Sequence, residues 1–324
     1  MGKQRLLFID IAKGIGILLV VCSHTEAHDL MVWSVGFFVP IFYFCSGYMT
    51  TASSSSRPIA DNMKKRARKL LIPYLFFNII LLLYYRRWSI TGIYGFLYSR
   101  YCYFPLGSDN NYFFFLWGNY PMWFITSLLV SYFLFYILLI CKNKSITIII
   151  YIFLTWGLSQ LPILLPWSID TAFLSSLIMY AGLYANNYHI ISLEKYHILL
   201  CVLIYSLLLC VAGDINFSVR QYGTSFIIYY IMAILGCIVV IWSSKRIEKT
   251  WIGKLLALIG KHSLTIFCIE MLFIREASIA YSKLPNTDGG IISGICGVCI
   301  TIFGGTFLSI LLHKNDFLRK ALFG

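Results

Sequence analysis

The chain has 324 residues, 59% of them hydrophobic and only 12% charged, and its mean hydropathy is +0.79. A soluble domain carries about 25% charged residues, so a water-soluble enzyme is excluded, and apolar runs near the length of a bilayer crossing recur from end to end. The net charge of +13 reads as the cationic inner loops of a membrane protein, with the lipid bilayer as partner and no nucleic acid.

The expected fold is all-α: a polytopic transmembrane helical bundle of about ten spans, forming one integral-membrane domain over residues 1–324 with no second module. The spans fall roughly at 6–24, 31–51, 70–86, 121–141, 146–165, 171–186, 197–213, 222–243, 255–275 and 290–312. With both termini inside, 18 of the 26 Lys and Arg lie on inner segments and six on outer ones. That is the sign required by the positive-inside rule, and one missed helix would invert it. Lys3 and Arg5 before an apolar run resemble a leader. Val21 is too large for the cleavage position, however, and Lys13 interrupts the run, so an uncleaved first span is expected.

The first span reads IDIAKGIGILLVVCSH from Ile9 to His24. Ionisable groups at membrane depth cost roughly 2.5–3.5 kcal/mol each, so Asp10, Lys13 and His24 mark a function. Lys13 to His24 is eleven helical steps, about 1100°, which returns to the same face after about 16 Å of rise. Asp10 lies one turn before Lys13 and can pair with it. Gly14 and Gly16 leave room beside that face for a helix or a ligand. The result is a polar track with an imidazole at its far end.

Span 2 carries Ser46, Gly47 and Tyr48, a hydroxyl and a bare backbone patch among rings, for which close helix packing is the plain reading. The loop from Thr51 to Lys69 ends in Lys64, Lys65, Arg66, Arg68 and Lys69. That run suits anionic lipid, or a phosphorylated ligand through its arginines. The outer segment Trp88–Pro121 is long and aromatic, with a turn at Gly107–Asn111, and suits the interface belt, sugar stacking or a cap over a cavity. Trp123 opens span 4.

Spans 5 to 8 are apolar and carry little information. His189 and His197 read as solvated, and the outer loop Gly213–Tyr222, with Asp214, Asn216, Arg220 and Gln221, reads as a possible polar wall for an acceptor. In span 9, Glu270 at membrane depth needs a partner. The glycines of span 10 read as packing. The ten cysteines lie mostly in apolar runs, and the Cys296–Cys299 pair has no second pair, so no metal is expected.

Taken together, Ile9–His24, Pro40–Tyr48, Arg66–Tyr74, Met122–Leu128 and Gly260–Phe267 resemble, in order and spacing, the acyltransferase family 3 membrane proteins, and most nearly the short fucose 4-O-acetylase-like branch. The most specific element is a basic residue, ten residues, then histidine: Lys13 and His24. The resemblance implies transfer of an acyl group, usually acetyl, from acetyl-CoA to a carbohydrate hydroxyl. It implies His24 as the catalytic histidine and Lys13, Arg66 and Arg68 as part of the donor region; the sequence leaves open whether His24 serves as a base or as a covalent acyl carrier. The candidate set is therefore His24, Asp10 and Glu270 for catalysis, and Lys13, Ser46, Tyr48, Arg66, Arg68 and Trp123 for substrate. Two departures stand out, because many relatives carry a histidine before the proline of span 2, where this chain has Phe38, and many carry one near the end of the span-9 motif, where it has Glu270. Intramembrane charges also suit a transporter or flippase of a lipid-linked sugar, which would predict an inverted repeat. None is visible, since the charges gather in spans 1 and 9.

Overall fold

The computed structural model describes residues 6–50, 58–86, 89–105, 120–283 and 290–323. Lys3, Arg5, the serine-rich loop 51–57, the turn at 107–111 and most of the aromatic stretch, 106–119, lie outside the described residues.

Helix α1 (Leu7–Ser23) is apolar and proline-free. It ends where the Ser23 hydroxyl donates back to the Val20 carbonyl at 2.7 Å and His24 takes a bridging conformation (φ −102°, ψ 7°). The second predicted span is not one helix. A 3-10 segment (His28–Ser34) leads through turns into α2 (Pro40–Tyr48). Pro40 supplies no N–H and its ring would clash with a helical carbonyl four residues back, so the regular helix starts there.

Helix α3 (Ile59–Tyr84) begins well before the expected residue 70, so the basic run is part of the helix and not of a loop. Then follow α4 (Ile90–Tyr98), within the segment expected to be a loop, α5 (Trp123–Ile140), α6 (Lys144–Ser159) and α7 (Ile169–Asn187). Helix α8 (Lys195–Ala212) is followed by a two-residue hairpin, β1 (Ile215–Asn216) with β2 (Gln221–Tyr222), and by α9 (Phe226–Ile247). The ninth predicted span is split. Helix α10 (Trp251–Lys261) and α11 (Ser263–Tyr281) meet at 79°, with Gly260 and Ser263 beside the break, as is common at helix kinks. Helix α12 (Ile291–Lys314) and the short α13 (Asp316–Phe323) close the chain.

Every predicted span contains helix, but among the described residues five helices are long and apolar enough to cross a bilayer, six if α10 and α11 form one bent span. Their outward faces are apolar: α8 bares Leu199, Leu200, Leu203 and Leu207. An apolar face that large is compatible with lipid and not with water. The protein is a multi-pass helical membrane protein.

Two glycine crossings set the frame. Helix α1 packs most extensively on α10. A Cβ on Gly260 would stand 1.8 Å from the Asp10 carbonyl oxygen, and one on Gly14 2.1 Å from that of Leu256. Helix α2 crosses α7 in the same way, with a Cβ on Gly47 falling 1.8 Å from the Met179 carbonyl oxygen. The packing readings of Gly14 and Gly47 are therefore the ones realised. Gly260→Ala should force α1 and α10 apart and destabilise the fold by about 1–3 kcal/mol. Thermal unfolding in detergent measures this, and an unchanged midpoint would show that the crossing can relax freely.

Candidate active site

Helix α11 leaves the Gly14–Gly260 contact alongside α1. Ten residues up α1 from Gly14, about 15 Å, stands His24; seven residues into α11 stands Glu270. The His24 Nδ1 lies 3.3 Å from the Glu270 Oε1, with 19% of the imidazole exposed and none of the carboxyl group. A carboxyl group buried this completely requires a hydrogen-bonding or charged neighbour, and the imidazole is placed to be one.

The exposed part of the His24 ring faces a cavity of about 1700 Å³. Rings dominate its walls: Phe38, Phe42, Trp123, Phe124, Phe217, Tyr229 and Phe267. Tyr101, Asn216 and Ser218 add polar groups on one side, and His28, Asp29, Arg86, Arg275 and Glu276 lie at the rim. The rim is braced where the Tyr84 hydroxyl donates to Glu276 at 3.1 Å and the Arg275 guanidinium sits 4.7 Å over the Tyr85 ring. Large, mostly apolar cavities with a few converging polar groups are the usual form of a small-molecule site.

The cavity gathers the C-terminal ends of α1 and α3 and the middle of α11 with the N-terminal end of α5 and the 215–222 hairpin. The basic run of α3 lies at that helix's other end. Arg66 to Arg86 is about 30 Å of helix. The structure thus brings together three of the sequence candidates: His24, Glu270 and Trp123. Lys13 is half-buried and lies outside the cavity lining. The expected ion pair between Asp10 and Lys13 is not among those of the described residues; Asp10 is buried at the α1–α10 crossing. Ser46 spends its hydroxyl on the Phe42 carbonyl at 2.7 Å. Tyr48 is buried edge-on to Phe8 at 5.8 Å. Arg66 lies 4.2 Å over the Tyr132 ring, and Arg68 is exposed.

Sequence reasoning missed one group of residues. Arg100, Asp170 and Arg220, all buried, form a single ionic cluster beside the cavity. Asp170 stands just before the predicted span 6, beside the stretch read as uninformative; an acid at the mouth of an apolar span was the available signal. Of the outer-loop residues read as a polar wall, Asn216 lines the cavity, Arg220 belongs to the cluster, and Asp214 and Gln221 do neither.

An imidazole 3.3 Å from a buried carboxyl group, at the edge of a cavity, is equipped to take and return a proton. No curated protein matches the chain. The family model described as the acyltransferase domain, family 3, matches residues 6–314, nearly the whole length, and the chain belongs to that acyltransferase family.

Proposed function

We propose that the protein is an O-acetyltransferase of the fucose 4-O-acetylase-like kind, moving acetyl from acetyl-CoA to a hydroxyl of a cell-envelope or lipid-linked carbohydrate. The observation that carries this reading is the 3.3 Å approach of His24 to Glu270 at the wall of a large, ring-lined cavity. Membership of an acyltransferase family favours group transfer over the transporter reading.

In this scheme the Glu270 carboxylate accepts the Nδ1–H of His24 and fixes the tautomer, leaving Nε2 as the base. Nε2 takes the proton of the acceptor hydroxyl while its oxygen attacks the thioester carbonyl carbon. The C–O bond forms and the C–S bond breaks. The CoA thiolate then leaves with the proton from the imidazolium. Direct transfer uses the carboxylate–imidazole pair as a base, the role such pairs serve best. The aromatic walls offer faces on which sugar rings stack. The protein sits in the inner membrane with both termini cytoplasmic, so the donor comes from the inner end, where Arg66, Arg68 and Lys13, all outside the His24 cavity, meet its phosphates, and its acyl-bearing arm must cross from there to the ring. The acceptor occupies the opposite end, beside His24.

Two measurements test this. Envelope glycan from cells with and without the gene should differ in O-acetyl content by NMR; identical spectra would rule out the carbohydrate acceptor. In proteoliposomes, Lys13→Ala and Arg68→Ala should each raise the KM for acetyl-CoA by about tenfold, the worth of one charge-assisted contact. An unchanged KM in Arg68→Ala would return that residue to lipid anchoring.

A further inference from the structure

Most of the cavity wall is aromatic and gives a sugar ring a face to stack on but little direction. Away from the rim, besides His24, Ser23, the Trp123 indole and the Tyr229 hydroxyl, the polar groups of the wall form one connected chain. The Ser218 hydroxyl donates to the Asn216 Oδ1 at 2.6 Å and lies 3.0 Å from the Tyr101 hydroxyl. All three residues line the same cavity as His24. By contrast, the Ser23 hydroxyl is committed to the Val20 carbonyl, and His28 and Asp29 are largely exposed, at 64% and 74%, where water competes for their contacts.

Behind that chain stands the buried ionic cluster. Asp170 pairs with Arg100 and, through Oδ2 at 3.3 Å, with the Nε of Arg220. Arg100 also donates to the Ser218 carbonyl and, at 3.1 Å, to that of Leu165. Arg220 donates to the carbonyls of Leu158 and, at 2.8 Å, Leu161. Asp170 accepts the Leu165 N–H at 3.1 Å. One cluster thus ties together the segment after α4, the connection from α6 to α7, and the hairpin. Of the six described non-glycine residues with positive φ, four (Ser99, Trp167, Ser168 and Arg220) lie in these segments. Such backbone persists where its surroundings over-determine it.

Two guanidiniums and one carboxylate, all desolvated, are a poor way to gain stability, because well-packed apolar side chains do as well or better. What the cluster does supply is position. It holds the Ser218 carbonyl directly, and Tyr101 is the next residue after Arg100. We propose that Tyr101, Asn216 and Ser218 are the residues that recognise the acceptor's hydroxyls and select which one reaches His24, and that Arg100, Asp170 and Arg220 are positioning residues that hold this wall in place. The proposal rests on His24 as the transfer centre and on a carbohydrate acceptor.

The test uses proteoliposomes, labelled acetyl-CoA, and envelope glycan stripped of its O-acetyl groups by mild alkali. Asn216→Ala and Ser218→Ala should each raise the KM for the glycan about tenfold, as expected for one lost hydrogen bond with its partner left unmet. The KM for acetyl-CoA should hold within about twofold, and NMR of the product should show acetyl esters spread over further ring positions. Asp170→Asn should shift the glycan KM the same way, with Asp170→Glu partly restoring it; Asp214→Ala, on the same loop but outside the cavity, should do nothing. An unchanged glycan KM and acetyl position in both Asn216→Ala and Ser218→Ala overturns the proposal even if Asp170→Asn fails to fold. So does a wild-type protein that does not accept the stripped glycan. Should His24→Ala remain active, the transfer centre itself is misplaced, and that outcome is read separately from the wall variants.

Discussion

In the His24→Ala variant, acetyl transfer from labelled acetyl-CoA in proteoliposomes should fall by roughly 10²–10⁴, the usual worth of a positioned proton acceptor. At 1.36 kcal/mol per decade this is about 2.7–5.5 kcal/mol of barrier. The loss should appear in kcat, because the ring handles a proton in the transition state and holds neither substrate tightly. Because His24→Ala takes away the neighbour of the buried Glu270, its folding is checked by thermal unfolding in detergent, and His24→Gln, which keeps a polar group beside that carboxyl, is the second variant. Wild-type turnover in a folded His24→Ala protein would end the proposed mechanism.

Glu270→Gln should be almost as damaging, about 10²-fold or more in kcat, although it changes one atom of a group that meets no substrate. A carboxylate can only accept from Nδ1, and so leaves Nε2 bare. A carboxamide can also donate to Nδ1, which places the ring hydrogen on Nε2 and removes the base. The KM for acetyl-CoA should stay within about twofold, and Glu270→Asp should recover part of the rate. Single-turnover kinetics separates this from a binding defect. If Glu270→Gln turns over like the wild type, Glu270 merely fills space beside the imidazole.

How much of this was legible beforehand differs by feature. The apolar runs located helix in every predicted span because bilayer burial is written locally, in composition. Where helices break was less legible: span 2 was read as continuous over 31–51 although Pro40 carried the signal for a later start, and α10 and α11 read as one apolar stretch although they meet at 79°. His24 and Glu270 were each visible as costly groups at membrane depth. Their meeting was not, since it joins opposite ends of the chain through packing that no local pattern records. Ser46 and Tyr48 drew notice as a motif, and the structure spends them on the fold. Arg100 and Asp170 were overlooked, and Arg220 was read only as part of a polar wall, for the opposite reason: they lie in three separate segments, and only the folded chain makes them a cluster.

The backbone contact at Gly14 and Gly260 turns the stretch between it and the imidazole into a ruler. The near end is clamped by two helices with no side chain between them, and the far end must present one ring to one carboxyl group. Adding or deleting a single residue between Gly14 and His24 swings the ring by about 100° and moves it about 1.5 Å along the axis. Amino-acid exchanges inside the interval leave the count intact, whereas any indel there points the imidazole at the wrong neighbour. Packing limits which side chains fit in the interval, as at Gly16 where a Cβ would stand 2.6 Å from Ile41, but the register of the imidazole depends on its length alone.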